Sequence, residues 1–108
     1  MKLSELLPPE LREQFPKLGE TAEHENPMVQ ARFFYPDFSW TWYAIEFNGD
    51  DTFYGFVDGE VGEYGTFSLF ELMTTRGKLG CDIERDLSFT PMAIKEVLKK
   101  YPLRSKVH

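Results

Sequence analysis

Apolar and polar positions alternate through the middle third of the chain, and this alternation predicts four consecutive β-strands. The segments are rich in aromatic and β-branched residues and comprise residues 28–35, 40–47, 52–58 and 61–67. Turn-forming residues separate the later strands, in Asn48-Gly49-Asp50-Asp51 and in Asp58-Gly59-Glu60. Connections this short force neighbouring strands to run antiparallel. The pattern therefore predicts a meander.

Helical spacing appears on both sides of this meander. Apolar residues at Leu7, Leu11, Phe15 and Leu18 predict a helix near residues 9–15, which Pro16 ends. Residues 19–27 are polar, acidic and without periodicity, and are interpreted as a surface loop. After the fourth strand, Ser68 and Glu71 have the spacing of a capping box, so a short helix through Thr75, closed by Gly77, is expected.

The last third of the chain predicts a fifth strand and a final helix. Residues 83–89 alternate as a strand, after a loop over residues 79–82. Thr90 and Pro91 are expected to cap a helix that Pro102 stops, with an apolar stripe made of Ile94, Val97, Leu98 and Tyr101. The fold class is thus α+β, with a five-stranded, mainly antiparallel meander sheet. Three helices flank it, in a single domain over residues 1–108.

Charge and composition narrow the partners. The formal net charge is −6, which disfavours direct binding to a phosphate backbone and suits a basic protein partner. The basic residues are scattered except near the end, where a cluster is interpreted as a solvated last turn: Lys95, Lys99, Lys100, Arg104 and Lys106. The start of the chain has no apolar signal region, no run reaches membrane-spanning length, and Cys81 is the one cysteine. A cytoplasmic location, without membrane association, is expected.

No standard catalytic or metal-binding motif is present in the sequence. The two histidines, His24 and His108, have no partner at ligand spacing, and there is no Gly-rich phosphate loop or nucleophile elbow. Tyr54-Gly55-Phe56-Val57 is similar to the centre of an RNA-recognition signature, but the flanking residues differ, and it is interpreted as a core strand. We expect no cofactor, no metal and no catalytic residue.

The second predicted strand places aromatic residues on both of its faces. Strict alternation puts Trp40, Trp42, Ala44 and Glu46 on one face, with Thr41, Tyr43, Ile45 and Phe47 on the other. Either helices cover both faces of the sheet, or one aromatic face is open and binds a partner. A β-bulge would shift these assignments by one residue.

Charged residues on the predicted strands are the remaining candidates for a site. Arg85 shares its predicted face with apolar residues, and a half-buried guanidinium needs a carboxylate partner. The candidates for that partner are Glu46, Asp58 and Glu63. Two interpretations stay open. One is a structural ion pair, and the other is a polar pocket formed by Arg85, Arg76 and carboxylates beside Trp40 and Trp42.

Several short motifs in one order resemble a bacterial family of unknown function, number 2958. They are Trp40-Thr41-Trp42-Tyr43, Tyr54-Gly55-Phe56-Val57-Asp58-Gly59, residues 65–72, Arg76-Gly77-Lys78-Leu79-Gly80 and Ile83-Glu84-Arg85-Asp86-Leu87, and Phe15-Pro16-Lys17-Leu18 is also similar. The resemblance implies a small cytoplasmic protein encoded on a plasmid, phage or other mobile element. It implies no reaction, cofactor or catalytic residue.

Three functions follow from these features. The favoured one is a non-enzymatic accessory module that binds a protein partner through the aromatic sheet face or its edge. A second is an enzyme or small-ligand-binding protein using Arg85 and carboxylates beside Trp40 and Trp42. A third is an acidic decoy for a basic defence or DNA-binding protein. The decoy requires one stripe of carboxylates, drawn from Glu20, Glu23, Glu25, Asp50, Asp51, Glu60 and Glu63.

Overall fold

A computed structural model describes residues 2–103 of the chain. Arg104, Lys106 and His108 lie outside the described residues. Four helices are present: α1 (Leu3–Leu6), α2 (Pro9–Gln14), α3 (Leu69–Thr74) and α4 (Ile94–Lys100). Seven strands alternate with them: β1 (Met28–Val29), β2 (Ala31–Phe34), β3 (Thr41–Phe47), β4 (Thr52–Asp58), β5 (Gly62–Ser68), β6 (Glu84–Arg85) and β7 (Met92–Ala93).

Five of the strands form one antiparallel sheet in the order β5-β4-β3-β2-β6. The α+β fold class, the five-stranded antiparallel sheet and its flanking helices are as predicted. The meander runs through β2, β3, β4 and β5, joined by short turns, so that β5 forms one edge of the sheet. The short β6 forms the other edge.

Several element boundaries differ from the sequence prediction. The first predicted strand is divided at Gln30 into β1 and β2, and β1 pairs with β7 outside the main sheet. The fifth strand is two residues long instead of residues 83–89, because the chain turns at Asp86, which accepts from the Ser88 N–H. The amino-terminal helix is two short helices, since Pro8 stands between them.

Capping also differs between the helices. The Ser68 Oγ accepts the Glu71 N–H at 3.2 Å, so the predicted start of α3 is confirmed. Gly77 does not close this helix, which already ends with Thr75 as its C-cap. Thr90 does not cap α4 either, because Met92 and Ala93 first form β7. The Asn26 side chain, distant in sequence, accepts the Lys95 N–H at the start of α4 instead.

Two apolar clusters cover the two faces of the sheet. The face that carries Trp42, called here the Trp42 face, packs against α1, α2 and α3 through Leu6, Leu7, Phe15, Leu69 and Leu72. The opposite face, called here the Tyr43 face, packs against α4 through Ile94 and Val97. Helices therefore cover both faces over β2, β3 and β4. The residues of β5 are exposed or half-buried along the whole strand.

Candidate functional site

Side chains alternate between the two faces of β3 until a β-bulge interrupts the register. Trp42 lies opposite Val57 and Tyr43 opposite Phe56, but the pairing shifts between Ala44 and Glu46. Ile45 is the extra residue, so Glu46 pairs with Tyr54 and Phe47 with Phe53. The prediction that Glu46 shares a face with Trp42 is therefore wrong. Glu46 lies on the Tyr43 face, and Phe47 joins Trp42 on the Trp42 face.

Trp40 and Trp42 lie on the same side of the sheet, with ring centroids 6.0 Å apart. Trp42 is nearly covered, with 8% of its surface exposed, whereas Trp40 is half-buried. Tyr35 packs against Trp42 with its centroid 5.4 Å away. These rings form one wall of a cleft of about 740 Å³, called here the indole groove. Its other walls come from β5 and α3, including Gly65, Phe67 and Leu72.

The loop carrying Tyr35 and Phe38 is fixed by Asp37. Its carboxylate accepts the N–H of Leu79 at 2.6 Å and the N–H of Cys81 at 3.2 Å. Burial acts to raise the pKa of Asp37, but these backbone hydrogen bonds outweigh it and hold that pKa below its ordinary value. The wall of the indole groove is thereby tied to residues 77–81.

The charges that line the indole groove are all negative. Its lining includes the carboxylates of Glu60, Glu63 and Glu71, and no lysine or arginine among the described residues lines it. Glu63 lies on the Trp42 face, opposite Val57. Trp40, Glu60 and Glu63 also line a smaller cleft that continues over the turn at Gly59. An aromatic wall beside carboxylates is suited to a cationic side chain.

A second groove lies against β5 on the Tyr43 face. It has a volume of about 570 Å³ and is called here the tyrosine groove. Its floor is the pair Tyr54 and Tyr64, whose rings stack at 6.2 Å and 15°. Its far wall is the loop over residues 18–27, which contributes Leu18, Ala22 and Pro27. The groove is thus mainly apolar and reaches the same strand from the other side.

Glu46 holds the loop that forms this wall. Its Oε1 accepts the Gly19 N–H at 2.7 Å, and its Oε2 accepts the Thr21 N–H at 2.8 Å and the Thr21 hydroxyl. Burial acts to raise the pKa of Glu46, but these three donors outweigh it and hold the pKa below its ordinary value. Glu46 is 3% exposed. Its carboxylate therefore shapes the tyrosine groove.

The outer edge of β5 runs between the two grooves. No strand within residues 2–103 pairs with it. The Leu69 N–H donates to the Asp51 carbonyl at 2.7 Å, and hydrogen-bonded pairs alternate along an antiparallel ladder. The N–H and C=O groups of residues 63, 65 and 67 therefore point towards β4. Those of Tyr64 and Thr66 point outwards, away from the sheet.

The remaining sequence candidates do not come together beside the indoles. Arg76 pairs with Asp82 at 2.8 Å, with both side chains about half exposed. Arg85 lies opposite Phe33 on β6, and its Nε donates to the Glu5 carbonyl at 3.0 Å, which ties α1 to the sheet. Asp58 is buried on the Tyr43 face, opposite Thr41. Of the seven candidates, the structure brings Trp40, Trp42 and Glu63 into one groove.

The most buried arginine–carboxylate pair among the ion pairs of the described region was not predicted. Arg32 Nη1 lies 3.1 Å from Asp86 Oδ2, and both side chains are about 15% exposed. The Arg32 guanidinium also lies 4.5 Å from the ring centre of Tyr101. Burial acts to raise the pKa of Asp86, but hydrogen bonds from Ser88 and the charge of Arg32 hold it below its ordinary value. Only the pairing of β2 with β6 brings these two residues together.

Tyr54, Tyr64 and Thr66 were also missed as site residues. Their strands were predicted, but sequence alternation carries no signal of which strand lies at an edge. Metal binding has no support in the described region, where no cluster of three or more His, Cys, Asp or Glu side chains is placed to hold an ion. None of the helices within residues 2–103 is long and apolar enough to cross a membrane.

A protein-family model matches residues 6–101 of the chain. Its description is "Protein of unknown function (DUF2958)". The chain belongs to the DUF2958 family. The resemblance seen in the sequence motifs is thereby confirmed, and the match extends through the amino-terminal helices and α4. No curated protein and no solved structure matches the chain.

Proposed function

We propose that this DUF2958 protein is a non-enzymatic interaction module that binds an extended segment of a basic protein along the outer edge of β5. The observation that carries the proposal is an unpaired seven-residue edge strand with a groove on each side. A peptide added to a sheet edge gains main-chain hydrogen bonds, and its side chains alternate between the two faces. The two grooves lie where those side chains would be.

Charge supports a basic occupant. The indole groove is lined by three glutamates, and the tyrosine groove adds Glu25. Neither lining contains a lysine or an arginine among residues 2–103. The whole chain carries a net charge of −6, so a second copy would be repelled, whereas a cationic segment would be attracted.

The two edges of the sheet differ in a way that favours β5. The opposite edge strand, β6, is two residues long, and the carbonyl of Glu5 next to it is already an acceptor for Arg85. Exposed edges are a known aggregation hazard, and proteins protect them with charge, bulges or short strands. Beyond Glu63, β5 has no charged residue. An edge left this open is suited to reversible pairing with a partner.

The expected setting of this activity is the cytoplasm, as an accessory protein of a mobile element. That setting rests on the family resemblance alone. The acidic-decoy function is a narrower version of the same proposal, in which the basic partner is a DNA-binding or defence protein. The small-ligand alternative has less support, because neither Arg76 nor Arg85 lines the indole groove.

Removing one outward N–H tests strand addition. In Thr66→Pro, the lost N–H is one that points away from the sheet, and proline is tolerated at such edge positions. Peptides selected from a random display library on the wild-type protein are expected to be basic and to perturb the β5 amide resonances. Their affinity is expected to fall about tenfold or more for Thr66→Pro, because one main-chain hydrogen bond and the fit of the strand are lost.

The matched control is Thr66→Val, which keeps the N–H and is expected to bind the selected peptides as the wild type does. Thermal unfolding of both variants checks that the sheet is intact. Undiminished binding by a folded Thr66→Pro protein, or selected peptides that perturb only resonances outside β5 and its grooves, would contradict the proposal. A concentration-dependent dimer that Thr66→Pro abolishes would instead assign the edge to a second copy.

A further inference from the structure

Resting on strand addition at β5, a sharper inference concerns which side chains the bound segment presents to each groove. In an antiparallel pair, residues directly opposite each other share a face. A partner residue opposite Tyr64 or Thr66 therefore directs its side chain to the Tyr43 face. The residue between them lies opposite Gly65 and directs its side chain to the Trp42 face.

The Tyr43 face offers an apolar seat. Tyr64 is 48% exposed, and its ring continues the surface of Tyr54 at the strand edge. Leu18 and Ala22 face these rings across the groove. The Glu46 carboxylate already accepts from Gly19 and Thr21, so it is committed to the loop. Aromatic or aliphatic side chains fit this surface, because burying them there removes apolar area from water.

The Trp42 face offers space and negative charge instead. A Cβ added at Gly65 would meet no atom within 4 Å, so the surface above this residue is open. The half-buried Trp40 and the carboxylates of Glu60 and Glu63 lie along the same groove. The indole packs against Gly59, where an added Cβ would lie 2.8 Å from the ring. This holds the indole beside the two carboxylates.

We propose that the segment bound at β5 alternates, with Lys or Arg at positions facing Trp40, Glu60 and Glu63 and an apolar or aromatic residue at positions facing Tyr54 and Tyr64. A guanidinium combines stacking on an indole with hydrogen bonds to a carboxylate. The two faces thus select different side chains at alternate positions. This gives a specificity rule, beyond attraction between opposite net charges.

Two synthetic peptides of identical composition test this rule. In the first, Arg and Tyr alternate, and in the second they are arranged in pairs, so that each face receives both residue types. The first is expected to bind about tenfold more tightly, because only it matches both grooves along the whole strand. Equal affinities, with binding by both peptides still lost in Thr66→Pro, would overturn the alternation rule and leave strand addition standing. Binding that is insensitive to Thr66→Pro would overturn both.

A double-mutant cycle locates the cations. Glu63 is exposed, so Glu63→Gln is expected to keep the fold. In the alternating peptide, replacing Arg by citrulline and Glu63 by Gln are expected to give coupled losses of affinity, each about threefold to tenfold alone and less than multiplicative together. Tyr to Ser changes in the peptide are expected to show no coupling to Glu63→Gln. Coupling of Glu63 to the tyrosines instead of the arginines would refute the assignment of faces.

Discussion

Gly55→Ala is expected to destabilise the protein by at least about 3 kcal/mol, or to prevent it from folding. Gly55 lies opposite Ala44 in the centre of the sheet. A Cβ there would overlap the carbonyl oxygen of Tyr43 and lie 2.9 Å from its carbonyl carbon. Both atoms belong to the backbone of β3, which cannot move without breaking the ladder between β3 and β4. Urea unfolding at neutral pH measures the loss.

Gly65→Ala is the matched control, since Gly65 is the residue opposite Gly55 on β5. No atom lies within 4 Å of the added Cβ, so we expect a change in unfolding free energy within about 0.5 kcal/mol, or a small gain because glycine is unfavourable within strands. Equal stability of the two variants would show that β3 and β4 do not approach as closely as the structure places them.

The second large effect is expected at Glu46. Glu46→Ala leaves two backbone N–H groups and the Thr21 hydroxyl without their acceptor, and is expected to cost about 2–4 kcal/mol at pH 7. Glu46→Gln, which keeps the shape but loses the charge and one acceptor oxygen, is expected to cost less. Because the loop over residues 18–27 forms a wall of the tyrosine groove, peptide binding at β5 is also expected to weaken.

The cost of Glu46→Gln is expected to depend on pH. The pKa of Glu46 is lower in the folded protein than its ordinary value. A carboxyl group with a depressed pKa contributes its stability above the unfolded-state pKa, about 4.3, and loses it as the pH falls through the folded value. The difference between wild type and Glu46→Gln should therefore be largest near neutral pH and shrink below about pH 4. Urea unfolding at both pH values measures it.

Glu25→Gln serves as the control, because Glu25 is an exposed glutamate in the same loop. It is expected to change the free energy of unfolding by less than about 0.5 kcal/mol at either pH. A gap between wild type and Glu46→Gln that persists unchanged in acid would show that the charge of Glu46 is not what holds the loop.

Some of the candidate site was predicted from local patterns. Trp40 and Trp42 were expected on one side of a strand, and their ring contact agrees with that expectation. Glu46 was placed on the wrong face, because the bulge at Ile45 adds one residue to β3 and reverses the alternation after it. Phe47 changes face for the same reason, and so packs against Phe53 at 4.4 Å. Alternation counts residues, and a bulge leaves no mark in that count.

Arg85 shows a different limit. The expectation that a half-buried guanidinium needs an acceptor was physically sound, but the Arg85 Nε donates to the Glu5 carbonyl, eighty residues earlier in the chain. The residue with a carboxylate partner in that region is Arg32, through Asp86. Which two charges meet depends on the order of strands, and β6 lies beside β2, far from it in sequence.

The sequence by itself determined the α+β class, the antiparallel meander and the family, because turns, alternation and motifs are local properties of the chain. Tertiary structure decided which faces the helices cover, which charges pair, and that β5 lies at an open edge between two grooves. The physical reason is that hydrogen bonding along β5 is satisfied on its inner side by β4, its neighbour in sequence. Whether anything satisfies the outer side depends on where the rest of the chain packs, which no local pattern encodes.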